Sequence, residues 1–481
     1  MTIAKEHATE IVRALRQHSY QAYFAGGCVR DLLLGREAAD YDVATDATPR
    51  QVIQVFPRTY AVGEQFGVVL VPHGEHAQTT TAIDDTAEAG LSSGDRHRGG
   101  VEVATFRADI GYSDGRHPDE VRFTKDPRED AQRRDFTING MMLDPFANDT
   151  TSEKTNDAVL DFVGGRADLT AGIVRAIGDP ARRFGEDKLR MLRGVRFAAR
   201  FDYQIESTTF AAIKQLAPSI HQVSFERIRE ELTKMLTEGR ARRAFEFLDS
   251  TGLLVEVLPE IARMKGVEQP PQYHPEGDVF LHTLLLLEKL QSDESGSITK
   301  TLAWGALLHD VGKPPTFRVA PDRIRFDGHV DVGVKMAEEI CRRLKFSNYE
   351  TGQILALIAN HMRFGDIQRM KQSTLKKFLR LPAFREHMEL HRIDCLSSHG
   401  HLDCYEYARQ QLHSMPPDEI RPKPLISGRD LMDAGYEPGP RFKEILTAIE
   451  DAQLEGRLDS RDAAMEYVRR EFPVSPGLAD S

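Results

Sequence analysis

Cysteine is scarce: Cys28, Cys341, Cys395 and Cys404 are the four among 481 residues, and none are in CxxC spacing. That density cannot build a disulfide framework and the spacing is not that of a structural zinc site, so a reducing compartment is expected. No stretch approaches the ~20 consecutive apolar residues that cross a bilayer. The opening MTIAKEHATEIVRALRQHSY scatters Ile3, Ile11 and Leu15 among charges, without the apolar core of a signal peptide. A cytoplasmic protein with no membrane partner is the expectation. Positive charge is not in excess either: 63 Lys and Arg against 74 Asp and Glu leave a net charge of −11. This excludes a protein that coats nucleic acid indiscriminately and confines any RNA contact to local basic surface. What is present, 40% hydrophobic and 28% charged residues, describes a globular chain long enough for about three or four domains.

The most informative stretch is Gly26 to Thr45, GGCVRDLLLGREAADYDVAT. In a strand, alternate side chains share a face, so Asp40 and Asp42 point one way and Tyr41 and Val43 the other. Two carboxylates that close repel unless a cation neutralises them, and Mg²⁺ between carboxylates and triphosphate oxygens answers that need. Tyr23 and Phe24 read as the end of the preceding strand. Gly26 and Gly27 then give a turn where backbone approaches a phosphate, with Arg30 at the start of a helix aimed at the same place.

The ordered string resembles the signature of the DNA polymerase β-type nucleotidyltransferases, in particular the bacterial class II CCA-adding tRNA nucleotidyltransferases and their poly(A) polymerase relatives. The resemblance implies catalysis by Asp40 and Asp42 holding Mg²⁺, with Gly27 and Arg30 at the nucleotide. A helix is expected over 5–18, another over Pro49 to Phe56, and a strand over 61–71. Residues 72–100 are polar and without periodicity, an insertion whose His73, His76 and His97 belong to a solvated loop. The strand VEVATFR (101–107) puts Glu102 and Ala104 on one face. Glu102 is the candidate third carboxylate, since the polymerase β superfamily draws one from such a strand; a solvent-facing glutamate is the alternative.

RRDFTIN (133–139) offers two guanidinium forks and, in Asp135, an acceptor for a ribose 2′-OH. The resemblance implies that Arg134, Asp135 and Asn139 lie at the sugar of the incoming nucleotide. Asp161, Gly165, Asp168 and Leu169 match the family's flexible-loop pattern. Over 182–200, at about 100° per residue, Arg190, Arg193, Arg196 and Arg200 fall on one face of a helix, with Glu186 beside them and Met191, Leu192, Val195, Ala198 and Ala199 opposite. Asp187 and Arg190 can present an acceptor and a donor fork together. The matching EDxxR motif implies reading of the base edge without a template, CTP first and then ATP, with Arg193 and Arg196 taking triphosphate charge. From 205 to 265 the pattern is helical, with a basic turn RARR at 240–243, resembling the neck and body that hold tRNA.

A second constellation begins at His274. His282, His309 with Asp310, His329, His361 and Asp394 follow the order of the HD phosphohydrolase superfamily, which they resemble. Imidazoles and carboxylates from packed helices suit a divalent transition metal, which activates water for phosphoester hydrolysis. His387 and His391 read as a surface pair. Residues 421–473 resemble the helical tail of CCA-adding enzymes that carry an HD domain, and SPGLADS after them reads as frayed.

The expected fold is α+β: a small polymerase β-like nucleotidyltransferase head with a mixed or antiparallel sheet (1–148), an all-α neck and body (149–268), an all-α HD domain (269–410) and a helical tail (411–481). The expected function is template-independent addition of CCA to the 3′ end of tRNA from CTP and ATP. Poly(A) polymerase and A-adding or CC-adding enzymes are the rivals within the class; intact flexible-loop residues argue against the CC-adding form. A rival of another class is an HD phosphohydrolase with a non-catalytic head.

Overall fold

The computed structural model describes residues 3–60, 67–72, 100–112, 119–147, 158–272, 274–290 and 298–473. The expected insertion between Pro72 and Gly100, with His73, His76 and His97, lies outside them, as do the first half of the 61–71 strand and the closing SPGLADS. The chain forms two compact units, Met1–Pro259 and Glu260–Ser481. Among the described residues no helix is long and apolar enough to cross a membrane.

The first unit is built on a six-stranded sheet. Its strands are β1 (Ala22–Ala25), β2 (Asp42–Thr45), β3 (Val68–Pro72), β4 (Gly100–Thr105), β7 (Met142–Leu143) and β8 (Val159–Leu160), in the order β3-β4-β2-β1-β7-β8. β5 (Arg107–Ile110) and β6 (Glu120–Phe123) pair separately as an antiparallel ribbon. β2 runs parallel to β4 and antiparallel to β1, so the sheet is mixed. Helix α1 (Ile3–Gln17) buries Ala8, Ile11, Val12 and Leu15, the spacing of one apolar stripe, and packs on β1, β2 and β4. Phe24, Val43, Val69 and Val103 are fully buried.

The strand carrying the aspartate pair is shorter than its sequence suggests. It begins at Asp42, because its partner β1 ends at Ala25, opposite Asp42, and the chain turns away at Gly26 with φ +78°. Asp40 therefore precedes the ladder. The alternation survives even so: Tyr41 and Val43 are buried, Asp42 is half-buried and Asp40 is exposed.

After the sheet the unit is largely helical, but the neck and body expected to be all-α include a short parallel strand pair, Ile173–Val174 with Gln204–Ile205. The single helix expected over 182–200 is two, α4 (Pro180–Glu186) and α5 (Leu189–Phe201), because Asp187 takes an extended conformation between them. Met191, Leu192, Val195, Ala198 and Ala199 are buried on α5 as their spacing requires. Helix α6 (Phe225–Thr237) packs against α5. The RARR turn is paired within the fold: Arg240 and Arg243 reach Asp202, and Arg242 reaches Glu246.

The second unit is a helical bundle. The helices that matter below are α7 (Val279–Lys289), α8 (Lys300–Leu308), α9 (His329–Arg343), α10 (Asn348–Asn360) and α11 (Phe384–Ser397). His387 and His391 are not on its surface. They are 2% and 9% exposed, His391 stacked on Phe364 at 4.5 Å, because the aromatic cluster of Phe364, Phe378 and Phe384 covers that side of α11. The tail helices at Gly428–Asp433, Pro440–Leu454 and Arg461–Glu471 share a core of their own around Leu431, Ile445 and Val468.

Candidate active site

In the head, β2 and β4 are in register at Val43 and Val103, which sets Asp42 level with Glu102 on the next pair. Asp40, Asp42 and Glu102 line one cleft. Asp42 and Glu102 also line the adjoining one with Arg133 and Arg134. Three carboxylates with hard oxygen donors fit a Mg²⁺-type cation, and two arginines beside them fit an anionic ligand.

The glycine pair splits its duties. Gly26 carries the positive φ, and a Cβ on it would sit 3.0 Å from Arg134 Nη1, whereas Gly27 opens helix α2 (Gly27–Leu33). Arg30 is not aimed at the cleft. It lies in the last turn of α2, 5% exposed, with its guanidinium over the Phe201 ring at 4.5 Å.

Arg30 instead starts a relay. Its Nη1 donates to Asn139 Oδ1 at 2.7 Å, Asn139 Nδ2 donates to Asp135 Oδ1 at 3.3 Å, and Arg193 Nη2 reaches Asp135 Oδ2 at 2.7 Å. Burial works against charge on Asp135, but the Arg193 guanidinium outweighs it and, with Arg190 and the Phe136 N–H, holds the carboxyl at about 2. Arg133 and Arg134 are steadied by Asp130, 1% exposed, whose two oxygens accept from them at 2.8 Å and 2.9 Å. Asp130 went unnoticed in the sequence, although its spacing of three and four from the arginines on the DPREDAQ helix was a signal.

Glu186 and Asp187 do not act as one unit with Arg190. Glu186 Oε2 accepts from Arg190 Nη1 at 2.7 Å and from Arg183 Nη1 at 2.9 Å. Asp187 Oδ1 accepts from the Leu189 N–H, and Oδ2 from Arg227 Nη2 at 2.9 Å. Arg227, on α6, is a second residue that sequence reading passed over; within SFERIREEL it looks like any charge on a solvated face. Arg196 stands apart from this cluster. It is 6% exposed, paired at 2.7 Å with the equally buried Glu231 of α6. The triphosphate contact expected of Arg196 is therefore a correction, since its guanidinium joins two helices.

The flexible-loop residues fasten onto RRDFTIN. Asp161 caps the N–H groups of Val163, Gly165 and Arg166, and Asp168 Oδ2 accepts from Thr137 Oγ1 at 2.7 Å. A Cβ on Gly165 would collide with the Thr137 carbonyl, so only glycine permits this approach.

In the second unit, His282 from α7, His309 and Asp310 after α8, and His329 opening α9 meet His361 after α10 and Asp394 from α11. Asp310 Oδ2 lies 3.1 Å from His309 Nε2 and 3.8 Å from His282 Nε2, and its Oδ1 lies 3.8 Å from His329 Nε2 and 3.9 Å from His361 Nε2. Asp394 Oδ1 is 3.1 Å from His282 Nε2. The ligand atoms form two triads, His282, His309, Asp310 and Asp310, His329, His361, that share Asp310, and a third group, His274, Glu276 and His282, adjoins them through His282. The Nε2 atoms of all four histidines are buried without a hydrogen-bond partner. Four buried imidazole nitrogens turned towards the carboxylates of Asp310 and Asp394 fit a divalent metal. Burial pushes His361 down to about 4 and His329 also downward, which keeps both neutral and able to ligate, whereas at His282 burial is outweighed by the Asp394 and Glu276 carboxylates on its two nitrogens and the imidazole is raised to about 9. Lys313 Nζ, buried, contacts Asp310 Oδ2 at 2.7 Å.

A mixed sheet presenting paired carboxylates, continued by a helical body and an HD-type cluster, defines a nucleotidyltransferase with an appended HD domain. Residues 22–175 match the poly A polymerase head domain, residues 202–265 the "Probable RNA and SrmB- binding site of polymerase A", and residues 280–402 the HD domain. The chain belongs to the CCA-adding enzymes, which are tRNA nucleotidyltransferases. It is 31% identical over 464 residues to the CCA-adding enzyme of Lactococcus lactis subsp. lactis, covering 95% of each chain. It is 30% identical over 459 residues to that of a Geobacillus species, covering 95% of this chain and 94% of the relative. Among solved structures it is similar to the Bacillus stearothermophilus CCA-adding enzyme in complex with CTP, with TM-score 0.68, 25% identity and coverage of 98% and 99%. The Thermotoga maritima CCA-adding enzyme complexed with tRNA shares the fold at TM-score 0.53 and 18% identity, over 96% of this chain and 94% of that one.

Proposed function

We infer that this protein adds CCA, nucleotide by nucleotide and without a template, to the 3′ end of tRNA, drawing on CTP and ATP. The observation that carries the reading is the cleft in which Asp40, Asp42 and Glu102 meet beside Arg133 and Arg134. Asp40, Asp42 and Glu102 would hold a Mg²⁺-type cation, which when bound would lower the pKa of the attacking hydroxyl and neutralise leaving-group charge. The RNA 3′ oxygen bonds to the α-phosphorus as the bond to the β-phosphate breaks, releasing pyrophosphate. Arg134 lies where a phosphate or ribose oxygen arrives, while Gly26 and Gly27 leave room for it. Asp135, itself held by Asn139, braces Arg193, and Glu186 with Arg190 and Asp187 with Arg227 face the base. The relatives named above are CCA-adding enzymes, which favours this reading over poly(A) or A-only addition. Both aspartates are retained, which favours it over a head that only binds nucleotide.

The second unit is read as a metal-dependent phosphohydrolase whose His282, His309, Asp310, His329, His361 and Asp394 hold a transition metal such as Mn²⁺, Ni²⁺ or Co²⁺. Division into head, neck and body, HD domain (269–410) and tail (411–481) belongs to the same reading, as does a cytoplasmic location, with the head running past its expected end at 148 because β8 joins its sheet and the head match reaches residue 175. Incubating the purified protein with tRNA lacking its tail and each labelled nucleoside triphosphate tests the first activity. Ordered incorporation of C, C and A is the expected result; incorporation of A alone, or of none, defeats it.

A further inference from the structure

The four imidazoles of the HD cluster are not oriented in the same way. His309, His329 and His361 each direct Nδ1 at the main-chain carbonyl three residues back, that of Ala306, Phe326 and Ile358, at 2.9 Å, 2.9 Å and 2.7 Å. Their tautomer is thus written into the backbone, with Nδ1 protonated and Nε2 carrying the lone pair that faces Asp310. His282 has no such carbonyl. Its Nδ1 donates at 2.7 Å to Oε1 of Glu276, and the same oxygen accepts from His274 Nδ1 at 2.9 Å. The Glu276 side chain is 7% exposed and that of His282 is fully buried. Oε2 of Glu276 is buried without a hydrogen-bond partner, so among the described side chains this carboxylate serves those two imidazoles only.

We propose that Glu276 is a positioning residue of the HD centre: it fixes the Nδ1–H tautomer and ring orientation of His282 and thereby sets the affinity of the centre for a divalent cation. The proposal rests on the reading of this cluster as a metal site. A carboxylate behind a ligating histidine raises the basicity of the ligand and holds its ring in place, and its loss costs about 10–100-fold in metal affinity. Among the four histidines around Asp310 the dependence is confined to His282, because the other three keep their backbone partners whatever stands at position 276.

The test is Mn²⁺ binding by the full-length, chelator-stripped protein, followed by calorimetry. The component belonging to the HD centre is the uptake that disappears in the His309→Ala, Asp310→Ala double variant. Glu276→Ala is expected to weaken that component by about 10–100-fold. Glu276→Gln keeps the shape and one acceptor but loses the charge, and is expected to fall between Ala and wild type, at least about threefold weaker. If Glu276→Ala fails to fold, Glu276→Gln carries the test alone, and affinity within about twofold of wild type in either variant overturns the proposal. A wild-type protein whose uptake equals that of the double variant overturns the metal reading itself, and the role of Glu276 with it.

Discussion

Asp187 Oδ2 accepts a hydrogen bond from Arg227 Nη2 at 2.9 Å, across the gap between the α4–α5 junction and helix α6. Arg190, one turn further on, pairs with Glu186 at 2.7 Å. The EDxxR motif therefore presents two separate acid–arginine pairs, and the second partner of Asp187 comes from 40 residues away. Selection of the base in this reading depends on all four side chains.

Arg190→Ala and Arg227→Ala are each expected to relax discrimination among the four nucleoside triphosphates as well as to slow addition. Loss of one arginine removes a donor fork from the base edge and leaves its carboxylate held by Arg183 or by the Leu189 N–H, worth about 1–3 kcal/mol, or roughly 5–150-fold in the ratio of correct to incorrect incorporation. The check is the kcat/KM of each variant with CTP, ATP, UTP and GTP. An equal loss for all four would assign Arg227 to structure alone.

Asp40→Ala and Asp42→Ala are expected to abolish addition, by more than about a hundredfold, without lowering the melting temperature. Asp40 is exposed and Asp42 half-buried at the edge of the ladder, so neither carries core packing. Primer-extension assays beside circular-dichroism melts measure both halves of the claim, and near-wild-type rates in either variant would refute the catalytic assignment.

Arg196 separates a structural from a phosphate-binding role. Its side chain and that of Glu231 are 7% and 4% exposed. Arg196→Met strands the glutamate, which costs about 3–5 kcal/mol, while the double change Arg196→Met, Glu231→Leu recovers most of that stability. Urea unfolding of the three proteins is the measurement. A normal stability with a raised KM for nucleotide would return Arg196 to the triphosphate.

The depressed Asp135 carboxyl links acid stability to the relay around it. Its folded value of about 2 lies below the ~3.9 of an unfolded aspartate, so its ion pair with Arg193 contributes fully above about pH 4 and is lost as pH falls towards 2. The contribution is on the order of 2–3 kcal/mol. Asp135→Asn is expected to be less stable than the parent at pH 6, with the gap closing as the pH is lowered from 4 to 2. Denaturant melts across that range give the answer, and a constant gap would place the cost in lost hydrogen bonding.

Some of this was legible in the chain and some was not, for physical reasons. The alternation of DYDV and VEVA marks faces of strands, and those faces are local properties, so the residues alone put Asp40 and Asp42 on one side and Glu102 on a face of its own strand, while setting Glu102 beside the pair rests on the family resemblance and on the β2–β4 pairing. The HD histidines likewise announced themselves by order. Arg30 and Arg196 did not, because an arginine bound for a cleft and one bound for a buried partner look alike until the partner is known, and Asn139 and Glu231 lie 109 and 35 residues away. The break at Asp187 carries no proline to mark it. Glu276 was hidden in PEGD, which reads as a turn, and His387 and His391 in HMELH, whose polar spelling conceals an aromatic neighbourhood.

Among the described residues the carboxylate cleft is lined from the unit Met1–Pro259, and the histidine cluster is built from the unit Glu260–Ser481. Changing His309 and Asp310 to alanine removes members of both triads at once, since Asp310 belongs to each. Hydrolysis of small phosphodiesters or phosphomonoesters by this protein is therefore expected to vanish in the double variant, together with its dependence on Mn²⁺, Ni²⁺ or Co²⁺. tRNA extension in Mg²⁺ is expected to stay within about twofold of wild type, because hard carboxylate oxygens suffice for that ion and none of them has been touched. Parallel phosphatase and primer-extension assays on one preparation make the comparison. A folded double variant that had lost extension would mean that the HD region takes part in holding tRNA or in polymerisation, and the proposed division of labour would have to be redrawn.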